Sequence, residues 1–180
     1  YTAQAPIVMQ TLERDGVYRV KMEYVDMKYG DQAWIFKQAY SFFAQFAPQY
    51  LPKPEGAESG IWLYKDERWT GGAAGCTLLK LRVPQDQAIL FDLRLWNRMQ
   101  NLLYVGKDAA DEESYEKRLL QKGISDTVKV FSTNFYPMEK REIQQSRRRM
   151  FASAQNCPES YLQAGVWELK KEWIVDKRFL

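Results

Sequence analysis

Two incompatible hydrophobic periods share this chain, and neither recurs with the regularity that a layered α/β protein needs. Leu79, Leu81 and Val83 alternate with Lys80 and Arg82, the pattern of a half-buried strand, and Pro84 stops it. Ile35, Ala39, Phe42, Phe43 and Phe46 instead fall at helical spacing and lay an aromatic stripe along one face. Short apolar runs at Gly60–Tyr64 and Ala88–Phe91 add strands without a strand–helix–strand rhythm. The reading is α+β: one domain over residues 1–180, a small mixed or antiparallel sheet, and flanking helices. An apolar fraction of 46% with 14% aromatic residues is enough to build a real core and excludes a disordered chain.

Local signals place the remaining elements. Tyr1–Ala5 is a strand only if another strand pairs with it. Pro6 suits the first turn of a helix over Ile7–Asp15, with Gly16 as its stop. Val17–Met27 alternates loosely and reads as extended, and Asp31 is placed to cap the aromatic helix. Pro48, Pro52 and Pro54 end that helix and open a loop to Ser59. Asp92 is an N-cap candidate for a helix carrying Leu95, Trp96, Met99, Leu102 and Leu103. Asp111–Lys122 has an acidic start, a basic end and a Gly123 stop. Thr127–Phe131 alternates as a strand, and Pro137–Phe151 reads as a polar helix. Tyr161–Leu169 looks extended, although Val166, Leu169, Trp173 and Ile174 also fit helical spacing. Phe42, Phe43, Phe46, Leu81 and Trp96 are the expected core.

Composition excludes much chemistry. The chain has no histidine, so neither a Ser-His-Asp nor a Cys-His nucleophile can be assembled. Cys76 and Cys157 lie too far apart in sequence to supply the Cys/His sets that zinc takes, and no metal is expected. A net charge of +3 is too mild to imply a nucleic-acid partner by itself. No apolar run approaches the ~20 residues of a membrane span, no signal peptide is read, and two cysteines point to a reducing compartment. Cytoplasmic residence without a membrane partner is the expectation.

Two polar stretches invite a functional reading. Gly71-Gly72-Ala73-Ala74-Gly75 offers bare backbone N–H groups, but it leads into a strand rather than a helix and lacks the phosphate-loop ending, so a flexible loop beside a site is expected. Arg147, Arg148 and Arg149, with Lys140 and Arg141 one or two turns earlier, could neutralise nucleic-acid phosphates; Glu139 and Glu142 dilute that charge.

Three segments carry a family resemblance. They are Tyr1-Thr2-Ala3-Gln4 with Leu12 and Gly16-Val17-Tyr18; Leu79-Lys80-Leu81-Arg82-Val83-Pro84 with Asp86, Leu90, Asp92 and Trp96; and Gln163-Ala164 with Trp167-Glu168-Leu169 and Trp173. Together they resemble a bacterial and phage family, domain of unknown function 3841, whose name confers no activity. The order of elements also looks like that of ADP-ribosyltransferase folds. There a short polar first strand precedes a helix ending near a glycine, and a late strand bears a catalytic glutamate.

That second resemblance implies NAD as cofactor and Glu168 as the catalytic carboxylate. NAD cleavage passes through an oxocarbenium-like state that a carboxylate stabilises without histidine. It also implies Thr2, Gln4 and Gln163 as groups that hold the nicotinamide ribose or amide, with Tyr18, Tyr40 or Trp62 as a stacking ring. In a regular strand Glu168 shares a face with Leu162, Ala164 and Val166, opposite Gln163, so the two meet only across a bulge. Equally, Glu168 can be a solvated carboxylate beside Lys170 and Lys171, and the aromatics can be core. Two functions therefore stay open. One is an NAD-dependent ADP-ribosyltransferase-like protein. The other is a non-catalytic binding module that meets nucleic acid or a protein through the basic helix.

Overall fold

The computed structural model describes residues 1–180. Its strands form three small antiparallel sheets, where the sequence led us to expect one. In the first, β1 (Thr2–Gln4), β4 (Thr77–Leu81) and β8 (Ile174–Phe179) lie in the order β1-β4-β8, so the alternating Leu79 segment is central as expected. In the second, β3 (Ile61–Tyr64), β6 (Leu162–Val166) and β5 (Ile89–Asp92) lie in the order β3-β6-β5. The third pairs β2 (Val17–Tyr18) with β7 (Leu169–Lys170). The two larger sheets are joined at one point, where the Tyr64 N–H donates to the Tyr1 carbonyl at 2.8 Å and the Tyr1 nitrogen donates to the Tyr64 carbonyl at 2.7 Å. Beyond that joint they splay apart.

The helices are α1 (Pro6–Asp15), α2 (Glu23–Tyr29), α3 (Ala33–Phe46), α4 (Leu93–Gln100), α5 (Ala109–Gln121), α6 (Thr127–Ser132) and α7 (Pro137–Ser146). Gly16 ends α1 in the left-handed region, at φ 73°, with its N–H on the Leu12 carbonyl. Asp92 caps α4 by accepting from the Arg94 N–H at 2.8 Å.

Strand alternation sorts the core into layers. Ile61 and Leu63 of β3 face α1 and β4, packing with Val8, Leu12, Leu79 and Val166. Trp62 and Tyr64 of the same strand pack with the cluster built on α3 and α4. There Phe43, fully buried, lies with ring centroids 4.9 Å from Trp62 and 5.1 Å from Trp167. A third cluster, Tyr115, Leu119, Val130, Phe131 and Ile143 among it, closes α5, α6 and α7.

Several expectations are corrected. Thr127–Phe131 is the helix α6, not a strand: Asp126 accepts from the Val128 N–H at 2.8 Å, and packing buries the adjacent Val130 and Phe131, which a strand would place on opposite faces. Only Val17–Tyr18 of the segment to Met27 is extended; Glu23–Tyr29 is helical. Asp31 lies in a 3₁₀ turn and its side chain does not cap α3. The helix from Pro137 tightens to 3₁₀ over Arg147–Ala152. Phe42, Phe43 and Trp96 are buried as expected, whereas Phe46 and Leu81 are half-buried at the rims of their clusters. Within Tyr161–Leu169, Leu162–Val166 is extended as β6 and Leu169 opens β7, while Tyr161 ends a 3₁₀ turn. The chain bends at Trp167 and Glu168 before β7, and that bend lets Val166 and Trp167 both be buried.

Phe43 can sit so deep because two glycines leave the sheet bare beneath it. A Cβ on Gly165 of β6 would come within 2.5 Å of the Phe43 ring, and one on Gly60 within 2.7 Å. Gly165→Ala should therefore destabilise the protein by about 1–3 kcal/mol through overpacking. A urea or thermal midpoint shift equivalent to less than about 0.5 kcal/mol, the usual surface level, would show that the ring is not held there.

Candidate functional site

Where the sheets splay, an open cleft of about 380 Å³ forms between β1, β3, α2 and α3. Its floor is β1. Thr2 and Gln4 lie on one face of that strand as period-two spacing dictates, and the Gln4 amide donates to the Thr2 hydroxyl at 2.7 Å. Its walls are aromatic: Tyr18 from β2, Tyr24 and Tyr29 from α2, Phe36 and Tyr40 from α3, and Trp62 and Tyr64 from β3. Trp69, Thr70 and Gly71 form one lip, so the glycine-rich stretch begins beside this cleft. Gly71 turns there at φ 63°, a conformation costly for any other residue.

Several rings are locked by one another. Tyr29 stacks on Phe36 at 3.7 Å, Tyr40 lies 5.3 Å from Trp62, and Trp62 lies 4.2 Å from Trp96. No carboxylate lines the cleft, and Lys28, with its ammonium 5.1 Å from the Tyr29 ring centre, is its one charged side chain. Burial pushes the phenols of Tyr18 and Tyr64 up to about 12, and raises Tyr40 further. The walls thus offer neutral hydroxyls at neutral pH and no ready base.

Gln163 stands behind the cleft on β6, opposite Tyr64 in the register. It shares the strand face of Gly165, so its side chain is directed to the α3 side with Trp62 and Tyr64. It is 1% exposed, and its amide makes no hydrogen bond of good geometry, although it lies close enough to the Tyr64 hydroxyl to offset a little of the rise that burial gives that phenol. Such an orphaned amide is costly in a native core.

Glu168 is elsewhere. The bend after β6 carries it away from the cleft walls. Its Oε1 accepts from Arg19 Nε at 2.7 Å and also contacts Arg19 Nη2, while Lys170 Nζ lies 3.8 Å from Oε2. Arg19 falls between Tyr18 and Val20, which line the cleft, and its side chain reaches the other way, towards Gly56. The structure thus gathers Thr2, Gln4, Tyr18, Tyr40 and Trp62 around one cavity, puts Gln163 behind it, and leaves Glu168 in a separate ion-pair cluster.

The arginine triplet does not present one basic face. Arg147 is buried and donates to the Gln38 carbonyl at 3.1 Å, Arg148 covers the Phe46 ring, and Arg149 donates to the Val105 carbonyl at 2.6 Å. The 3₁₀ turn separates their directions, so they cannot all grip one phosphate backbone as they stand. No group of three or more Cys, Asp or Glu side chains is placed to hold a metal ion, and no helix is long and apolar enough to cross a membrane.

Sequence reasoning missed Lys28, Tyr29, Phe36, Tyr64 and Trp69. Tyr64 was within reach, since period two places it beside Trp62. Tyr29 and Phe36 were not, because the segment before Asp31 read as extended.

The family model described as Domain of unknown function (DUF3841) matches residues 1–175, and the chain belongs to that family. No curated protein and no solved structure matches it.

The raised phenols give a pH signature. Unfolded tyrosines ionise near ~10, two units below the values of about 12 for Tyr18 and Tyr64. The unfolded chain thus releases these protons first, and stability should fall as pH rises from about 10 towards 12. Tyr64→Phe should make that alkaline decline shallower. Denaturation midpoints against pH, with the ultraviolet absorbance of tyrosinate as a second readout, check this; an unchanged slope would mean that Tyr64 titrates as an exposed phenol.

Proposed function

We propose that this is an ADP-ribosyltransferase-like protein whose aromatic cleft takes the nicotinamide end of NAD. The observation that carries the reading is the convergence of the β1 pair, Thr2 and Gln4, with the ring wall of Tyr18, Tyr40 and Trp62 in one cavity without carboxylates. A flat amide-bearing ring suits such a cleft. Stacking supplies most of the contact, and the Thr2 hydroxyl and Gln4 amide can exchange their mutual hydrogen bond for bonds to the carboxamide or ribose. Lys28 is the local cation for a phosphate further along the dinucleotide.

In the transfer, the bond between ribose C1′ and nicotinamide breaks and nicotinamide leaves with its electron pair. A nucleophile on the acceptor forms the new bond to C1′ and loses its proton to solvent. Charge develops on the ribose, and a carboxylate is the group that stabilises it. In this reading Glu168 serves only if substrate binding draws it out of its pairing with Arg19.

That pairing favours a second reading, binding without turnover. A carboxylate held by a guanidinium and an ammonium is already neutralised, and the polar residue of β6 on the α3 side is Gln163, a neutral amide. The protein would then bind the dinucleotide and act through a partner.

Calorimetric titration with NAD, run beside an assay of nicotinamide release, separates these. Both readings expect saturable binding that Gln4→Ala weakens about 3–10-fold, the size of one lost hydrogen bond of about 0.5–1.5 kcal/mol. Turnover that Glu168→Gln abolishes while binding persists supports the transferase. Binding without release supports the second reading, and absence of binding ends both.

A further inference from the structure

We propose that the cavity between α3 and α7, on the face of α3 turned away from the aromatic cleft, is a binding site for a small phosphate-bearing anion held by Arg147 with Arg141 and Arg148. This does not rest on the NAD reading, because the two cavities share no residue: Phe36 and Tyr40 of α3 line the cleft, and Gln38, Ser41 and Gln45 line this one.

The cavity measures about 330 Å³, which suits a small ligand, and no acidic side chain lines it. Arg147 is the most deeply buried residue of its wall, at 2% exposure. One of its nitrogens, Nη1, donates to the Gln38 carbonyl, and the guanidinium lies 5.3 Å from the Phe131 ring centre. Its Nε and Nη2 have no partner and are sealed from solvent in the unliganded protein, so an anion in the cavity reaches them by parting the side chains that cover them. These two adjacent nitrogens form the edge of a guanidinium that grips an oxyanion with two parallel hydrogen bonds.

A charge buried without a counter-charge is rarely tolerated in a folded core. The group stays charged at neutral pH, since burial lowers its pKa only to about 10. Nothing nearby neutralises it. Arg141, Arg147 and Arg148 form no ion pair, while the neighbouring Glu139 and Glu142 are engaged by Lys122 and Arg118. Three unpaired guanidinium groups therefore meet at one concavity whose other polar lining is glutamine and serine. A compact multivalent anion satisfies that arrangement. An extended phosphate backbone does not, because the best donor edge is enclosed.

The probe is inorganic pyrophosphate, titrated by calorimetry and thermal shift into the full chain against sodium chloride of equal ionic strength, with AMP and citrate as further arms. Saturable pyrophosphate binding is expected, weakened at least tenfold by Arg147→Met. The same variant should melt at or above the wild-type temperature in pyrophosphate-free buffer, because the methionine removes an unpaired charge while filling its place. Should that variant not fold, the rim pair Arg141→Gln with Arg148→Gln should still lose affinity severalfold. Gln4→Ala, in the other cavity, should bind pyrophosphate as wild type does. Competition by AMP would assign the site to nucleotide phosphates, and binding of pyrophosphate alone to free phosphates. No saturable binding, equal affinity in the arginine variants, or citrate binding tighter than pyrophosphate would each overturn the proposal.

Discussion

The contact between the Phe43 ring and the bare backbone of Gly60 and Gly165 sets the distance between α3 and the sheet β3-β6-β5. Because a side chain at either glycine would collide with the ring, helix and sheet approach as closely as backbone permits. That approach brings Trp62, Phe91, Trp96 and Trp167 within aromatic contact of Phe43. Aromatic pairs of this kind are worth about 0.5–1.5 kcal/mol beyond their burial, so the cluster is held by more than the area it removes from water. The cleft is the edge of that cluster. Tyr40 sits one helical turn before Phe43 and touches Trp62 and Trp96, so the cleft wall is continuous with the core beneath it.

The joint at Tyr1 and Tyr64 decides where the cleft opens. A continuous sheet from β1 through β3 would have closed the space, but the two strands share only the hydrogen bonds at that one residue pair. β1 then pairs with β4, and β3 with β6. The gap left by this divergence must be lined by side chains, and the chain fills it with amphipathic rings. Tyrosine suits that place because its ring packs on the aromatic core while its hydroxyl reaches the opening.

Much of the fold was legible from local chemistry. Leu79-Lys80-Leu81 alternated because one face meets α1 and the other is solvated, and Asp92 read as a cap because its carboxylate has an obvious donor two residues on. What was illegible had one cause, the override of local pattern by tertiary contact. Thr127–Phe131 is β-branched and alternating, yet Asp126 starts a helix there and Val130 and Phe131 bury together against α5 and α7. The bend at Trp167 follows from the Trp167 indole donating to the Leu51 carbonyl at 2.8 Å, a partner 116 residues away that no local window contains. The site was half legible for the same reason. Period two placed Thr2 beside Gln4, but whether Glu168 faced them depended on that bend.

Buried polar groups in this protein fall into two kinds, and the difference separates structure from candidate function. Asp92 is 5% exposed, and although burial opposes its ionisation, the Arg94 side chain and N–H hold its pKa below the ordinary value. Glu168, only half-buried, is likewise satisfied, by Arg19 and Lys170. Groups so paired are explained by the fold itself, and no ligand is needed to account for them. Gln163 and Arg147 are the opposite case. Each is at most 2% exposed, each lacks partners for two polar atoms, and each stands at a cavity. With the buried Ser59 hydroxyl also without a partner, a fold that leaves such groups orphaned bears a cost that its own contacts do not offset. Their chemistry differs as their surroundings do. The amide stands at a cavity lined by Leu81, Val83 and Leu90 with Lys65 and Lys80, separate from the aromatic cleft, and the guanidinium lies among glutamines and other guanidinium groups, where an anion restores balance.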